Sequence, residues 1–244
     1  MRESDRRHIV RGLGSLALAG FLAVGFQLVS PLQRSQAATP EHAHSPLSGP
    51  ARIIDGDTIA IGDARIRLEG IDAPELGQTC QRPELDVWDC GAAAARELSE
   101  LIEGRHVQCE STGNDKYGRM LGICHVGPLE LNAELVRRGL AWAFVRYSRR
   151  LVSVEAEARA LKRGVWQTHN EPPWAYRASR WSYSESAAPR GCAIKGNVSR
   201  GGRIYHVPWS PLYDNVHIDS SRGERWFCSE AEAIAAGWRP ALTN

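Results

Sequence analysis

From residue 52 onward the chain alternates apolar and polar positions in short runs. Arg52-Ile53-Ile54, Thr58-Ile59-Ala60-Ile61 and Arg65-Ile66-Arg67-Leu68 are separated by turn residues. In the third run both arginines share one face and Ile66 and Leu68 the other, the pattern of a half-buried strand. At residue 91 the period changes from two to nearly four. GAAAARELSELIE (91–103) puts Ala94, Leu98 and Leu101 on one stripe and predicts a helix. Strands follow at 105–110 and 119–126 around the turn STGNDKYG, then helices at 131–138 and 151–163, the second ended by Gly164. Short strands with about three interleaved helices give an α+β, mainly β class, arranged as a five-stranded OB-like barrel over residues 51–168. Residues 38–50, rich in Pro, His, Ser and Ala, read as a linker. Residues 169–189 mix Pro, Ser and aromatics without a period and read as a connector. Residues 190–244, with Trp209, Trp226 and Trp238, read as a small second module. No internal repeat is visible.

Residues 1–37 have a different character. Arg2, Arg6, Arg7 and Arg11 lead into an apolar run at 12–29, and Ser35-Gln36-Ala37 offers small residues for cleavage. That order predicts a cleaved export signal, and DRRHIVR resembles the twin-arginine type. The alternative is an uncleaved membrane anchor, since about 18 apolar residues is the shortest length that spans a bilayer. A periplasmic or secreted protein is expected, membrane-anchored if the segment stays uncleaved. The 244 residues carry 30 basic and 28 acidic side chains, a net charge of +2, and 43% are hydrophobic. This composition excludes disorder, collagen and coiled coil. Without the signal the net charge is −1, so the mature chain is not basic. Of the 30 basic residues 27 are Arg, the side chain whose planar fork suits phosphate.

In an exported chain the six cysteines, at 80, 90, 109, 124, 192 and 228, point to bridges. Local pairing is expected: Cys80–Cys90 closing a polar loop, Cys109–Cys124 across a turn between strands, and Cys192–Cys228 stapling the last module. The alternative for the last pair is a metal site shared with His206 and His217. No CxxC spacing is present to suggest a zinc ribbon.

Three stretches carry candidate chemistry: IDGDTI (54–59), RLEGIDAPE (67–75) and DKYGR (115–119). Asp55-Gly56 makes a tight turn that can aim the Asp57 carboxylate into the barrel mouth, where Asp72 could join it. Two carboxylates, a carbonyl and water suit a hard cation such as calcium better than zinc. In this order the three stretches resemble the staphylococcal nuclease (thermonuclease) family, and LNAELVRRGLAWAFV (131–145) and EARALKRGVW (157–166) extend the likeness over about residues 51–168.

The resemblance implies an OB-fold and calcium-dependent hydrolysis of phosphodiesters in DNA and RNA. By it, Asp57, Asp72 and the backbone carbonyl of Ala73 hold Ca2+, Glu75 is the general base, and Arg67 and Arg119 clamp the scissile phosphate. The cation and the guanidinium groups are expected to keep the pKa of Glu75 low enough for it to act as a base. Lys116, Tyr117 and Tyr147 match nucleotide-holding positions; where the family has a second tyrosine, this chain has Val145. The partner implied is nucleic acid, bound by a monomer. A membrane enters only if the first segment stays attached. Arg137, Arg138, Arg146, Arg149 and Arg150 form either a rim that guides polyanion or a solvated face. The rival to an enzyme is an OB-fold that binds nucleic acid without cutting it, or an envelope interaction protein dominated by its last module.

Overall fold

The computed structural model describes residues 46–241, so the expected export signal and most of the expected linker lie outside the described residues. The first strand, β1 (Leu47–Ile53), is followed by β2 (Thr58–Ile61) and β3 (Ala64–Leu68). Next come the two-residue β4 (Ile71–Asp72), a small hairpin of β5 (Thr79–Gln81) and β6 (Val87–Asp89), and helix α1 (Cys90–Ile102). The long strands β7 (His106–Asn114) and β8 (Met120–Val126) lead through β9 (Leu129–Glu130) to α2 (Leu131–Arg137). After β10 (Trp142–Ala143), helices α3 (Val152–Ala160) and α4 (Pro173–Ala187) complete this half of the chain.

β1 pairs with β2, β2 with β3, and β3 runs parallel to β8. β8 pairs with β7, and β7 returns to β1. The ring of five closes, which removes the exposed strand edges an open sheet would leave. This is the expected OB-like barrel. Ile59, Ile66, Leu68 and Val107 fill it, with Leu98 of α1 and Leu131, Leu135 and Val136 of α2 against it. The alternation in Arg65–Leu68 works as read: Ile66 and Leu68 are fully buried, while the arginines face the mouth.

Three segments differ from the sequence-based expectation. Residues 47–50 are strand, paired with β7 through Leu47–Cys109 and Pro50–His106. Their Gly and Pro weaken the strand signal, and partners more than fifty residues away supply it instead. Helix α3 ends at Ala160, three residues early, because Lys162 turns left-handed and the chain closes on α2. There a Cβ on Gly139 would lie 2.2 Å from the Arg163 carbonyl oxygen, and one on Gly164 2.1 Å from that of Gly139. The third difference is α4, fifteen residues long, where an irregular connector was expected. Only Pro173 and Ser184 are buried on it, so it lacks the apolar stripe by which a helix is recognised.

The last module is a four-stranded sheet in the order β13 (Arg225–Phe227), β11 (Ile194–Ser199), β12 (Gly202–His206), β14 (Arg239–Pro240). Helix α5 (Glu230–Ala235), capped by the Ser229 hydroxyl accepting from the Glu232 amide, packs on it. Ile194, Tyr205, Phe227, Ala233 and Trp238 form its own small core. All three expected bridges are present: Cys80–Cys90, Cys109–Cys124 and Cys192–Cys228. The last one excludes the Cys2His2 alternative, and His206 Nε2 instead lies 3.2 Å from Asn197 Oδ1. A module this small has too little core to hold itself without such a staple. Among the described residues no helix is long and apolar enough to cross a membrane.

The Cys109–Cys124 bridge spans 15 positions and is fully buried between β7 and β8. Closing a loop of that length restricts the unfolded chain by roughly 3 kcal/mol. The Cys109→Ala/Cys124→Ala variant should lose stability of that order in urea unfolding; an unchanged midpoint would show that strand pairing alone holds the barrel.

Candidate active site

At the barrel mouth the turn after β1 is drawn tight by two amides, Ile54 and Asp55, donating to the Thr58 carbonyl. The Asp57 amide donates to Asp55 Oδ1 at 3.0 Å. Only glycine fits between them: a Cβ on Gly56 would lie 2.7 Å from Ala94 and 2.9 Å from Ala73. The turn therefore lies flat on α1 and directs Asp57 inward, where Oδ2 accepts from the Ala73 amide at 3.2 Å and Oδ1 from Thr58 Oγ1 at 3.0 Å. Asp72, on β4 opposite Trp142, is completely buried.

Arg67 joins the two acids. Its Nη1 donates to Asp57 Oδ1 at 3.0 Å and its Nη2 to Asp72 Oδ1 at 2.9 Å. Glu69, two residues further on, lies 4.0 Å from Arg150 and not against Arg67. Glu75 follows Pro74 in a loop fixed from three sides. The Glu75 amide donates to Gln78 Oε1, the Gln78 amide returns a bond to the Glu75 carbonyl, and the buried Gln78 side chain reaches the Glu171 carbonyl. A Cβ on Gly91 would meet the Glu75 carbonyl oxygen at 1.8 Å, so the first turn of α1 sits directly against this loop.

A second group stands across the same cleft of about 850 Å3. The Asp115 carboxylate accepts from the Tyr117 and Arg119 amides and from Arg119 Nε, the last at 2.7 Å. Lys116 lies over the Tyr117 ring at 4.8 Å. Tyr147, 72% exposed, is propped by Phe144 with ring centres 5.2 Å apart. Asp57, Arg67, Ala73, Glu75, Lys116, Tyr117, Arg119 and Tyr147 all line this cleft, while Asp72 lies sealed behind Arg67. Arg119 shares the cleft but pairs with Asp115 rather than with the central acids. Of the five clustered arginines, Arg137 and Arg138 pair with Glu134, and Arg150 with Glu130. Those three behave as a solvated, acid-paired face rather than a rim.

One residue of the cluster was not singled out in the sequence. Arg177, from α4, donates to both oxygens of Asp72 at 3.1 and 2.8 Å and to Glu75 Oε1 at 2.6 Å. The available signal was the run between Pro173 and Pro189, which has no Gly or Pro and starts with proline at the position a helix tolerates.

Four acids, Asp55, Asp57, Asp72 and Glu75, thus crowd around two guanidinium groups. Burial would raise Asp57, but Arg67 and the Ala73 amide outweigh it and hold that carboxyl below its ordinary value. Asp55 is pushed up to about 6 by burial and by the charge of Asp57. Glu75 is pushed up to about 8 by burial, against Arg177 and with Asp55 and Asp57 adding to the rise. The expectation of a low pKa for Glu75 is therefore not met by the protein's own groups; loss of hydration outweighs the guanidinium. Four carboxyl groups offering only oxygen donors fit a hard divalent cation, whose charge would favour the ionised form of each. Among the described residues no three His, Cys, Asp or Glu side chains form a ready metal cluster. Asp57 and Asp72 would hold the cation, with a main-chain oxygen and water completing its shell.

Comparison with known proteins bears on this geometry. Residues 65–168 match the model of the family described as staphylococcal nuclease homologue. The chain is similar to the Rhizobium meliloti (strain 1021) protein named succinoglycan biosynthesis protein ExoI, 31% identical over 168 residues, covering 68% of this chain and 86% of that one. It is 36% identical to an uncharacterized endonuclease of Escherichia coli O157:H7 over 52% of this chain and 81% of the relative. A micrococcal nuclease of Shigella flexneri is 34% identical over 52% of this chain and 77% of its own length.

The acidity of Glu75 has a consequence for stability. Its folded pKa of about 8 lies above its unfolded one, so the folded state binds the extra proton and stability falls as pH rises through that interval. Thermal melts of the metal-free protein between about pH 5 and 8 should show this decline, and Glu75→Gln should flatten it. Parallel curves for the two proteins would mean that Glu75 does not carry the shift.

Proposed function

The chain belongs to the staphylococcal nuclease homologue family and is a phosphodiester-hydrolysing nuclease, and from that premise we propose that it cleaves DNA and RNA in a calcium-dependent reaction at the barrel mouth. The observation that carries this reading is the meeting of Asp57, Arg67, Glu75 and Arg119 in one cleft, with Arg67 binding both buried acids. Asp57, Asp72 and the Ala73 carbonyl would hold Ca2+. When bound, the cation supplies positive charge against the non-bridging oxygens of the phosphate.

Glu75 takes a proton from the attacking water. The water oxygen forms a bond to phosphorus as the bond to the leaving ester oxygen breaks, and that oxygen departs with the bonding electron pair and takes a proton from solvent. Charge grows on the non-bridging oxygens during this exchange, and Arg67 and Arg119 donate to them from fixed positions, without the reorganisation that bulk water would need. For Glu75 to act as the base it must be ionised, and a bound cation would add to Arg177 in opposing the rise that burial causes. Lys116 and Tyr117 take a neighbouring phosphate, and Tyr147 with Phe144 offers an aromatic face to a base. The domain division at residues 51–168 and 190–244, with a monomer as the working unit, belongs to the same proposal. So does export to the periplasm or beyond, which three disulfides support.

The test is cleavage of end-labelled single-stranded DNA, duplex DNA and RNA by the purified protein with calcium and with chelator. Activity should need the cation. Arg119→Ala and Glu75→Gln should each lower the rate about a hundredfold or more. Near-normal cleavage by Glu75→Gln would remove the base assignment, and cleavage unaffected by chelator would remove the calcium dependence.

A further inference from the structure

The matched nuclease domain ends at residue 168, yet the side chain that covers its acids comes from beyond it. Arg177 forks over both Asp72 oxygens and reaches Glu75, while Asp72 Oδ1 also accepts from Arg67. A carboxylate has about four lone-pair directions. With three hydrogen bonds on Asp72 and no solvent exposure, little of its capacity is left for a cation.

The arginine is held there from two sides. Toward the start of α4, Trp174 packs on Trp142 and Phe144 of the barrel, with ring centres 6.5 and 5.9 Å apart. Beyond Arg177, Arg180 donates to the Pro208 carbonyl at 3.1 Å and pairs with Asp214 at 3.2 Å, and Trp181 lies 6.3 Å from Trp209. Arg177 sits between these anchors, and only 22% of its side chain is exposed. Its three bonds are charge-assisted, the stronger class of hydrogen bond.

We propose that Arg177 sets the cation affinity of the site, as a tethered guanidinium that competes with the divalent cation for Asp72 and Glu75. The inference rests on the reading of Asp57 and Asp72 as the cation seat, and it assigns a task to the extension that the nuclease domain alone does not have. Because a coupling of this kind is reciprocal, whatever draws α4 away from the barrel tightens cation binding, and cation binding loosens the hold of α4.

Calorimetric titration of calcium chloride into the full chain, without nucleic acid, tests it. Arg177→Ala should bind calcium on the order of tenfold more tightly than the unaltered protein. Arg177→Lys should fall between, since an ammonium keeps the charge but cannot fork. The calcium-induced rise in melting temperature should follow the same order, which separates altered affinity from a damaged fold. Equal or weaker binding by folded Arg177→Ala would overturn the proposal, as would the absence of binding in all three proteins. Detectable binding in the variant alone would support it. If the unaltered protein cleaves DNA with calcium while Arg177→Ala binds no more tightly, the role of Arg177 fails and the nuclease reading stands. If the unaltered protein cleaves with no cation offered, the reading of the seat itself fails.

Discussion

The shared guanidinium of Arg67 is the contact on which the rest of the site depends. Asp57 and Asp72 are both buried, and two carboxylates side by side in a poorly hydrated pocket repel each other unless a cation lies between them. Arg67 bonds to both. It can do so because β3 alternates, placing its arginines at the mouth while Ile66 and Leu68 fill the barrel. Closure of β3 onto β8 fixes that strand from its far side. Gly56, in turn, lets the Asp57 turn approach α1 and Ala73 closely enough for the bonds to form. A small geometric requirement at one arginine thus reaches back to strand register, barrel closure and one glycine.

What the sequence could show follows from how local each feature is. The Asp55-Gly56-Asp57 turn, the alternation in Arg65–Leu68 and the stripe of α1 are set by near neighbours, and they were legible. So were the local cysteine pairs, because strand and hairpin geometry brings them opposite each other. Residues 47–50 became strand through partners on β7, and α4 became a helix without a stripe because its anchors are scattered rings rather than one buried face. Arg177 was missed for the same reason. The upward push on Glu75 from the protein's own groups was not legible, because burial is a property of the finished fold: Gln78, the first turn of α1 and Arg177 close around its loop.

The last module also changes what the barrel can do. It adds Tyr205, Val207, Trp209 and Glu230 to the lining of the cleft, so the barrel mouth opens into a walled groove rather than onto a free surface. Tyr205 is itself fixed by its hydroxyl donating to Glu230 Oε2 at 3.0 Å. That wall needs a rigid support, and the module has only a small core to provide it. The Cys192–Cys228 bridge and the anchors of α4 do for it what a larger hydrophobic interior does for the barrel.

Net charge proves a poor guide to such a protein. Residues 51–168 hold 16 basic and 18 acidic side chains, which by itself would argue against a polyanionic substrate. The pairings resolve this. Arg137, Arg138 and Arg150 are matched by Glu134, Glu97 and Glu130, and none of the three lines the cleft. Inside it the carboxyl groups outnumber the guanidinium groups within bonding reach, with Asp55, Asp57, Asp72 and Glu75 around Arg67 and Arg177. In the proposed reaction a bound cation would reverse that sign, while Arg119, paired with Asp115, and Lys116, over the Tyr117 ring, supply positive charge across the groove. On the proposed reading, the acids that lower the overall charge are the same groups that would seat the cation, and the low net charge then belongs to the site rather than counting against it.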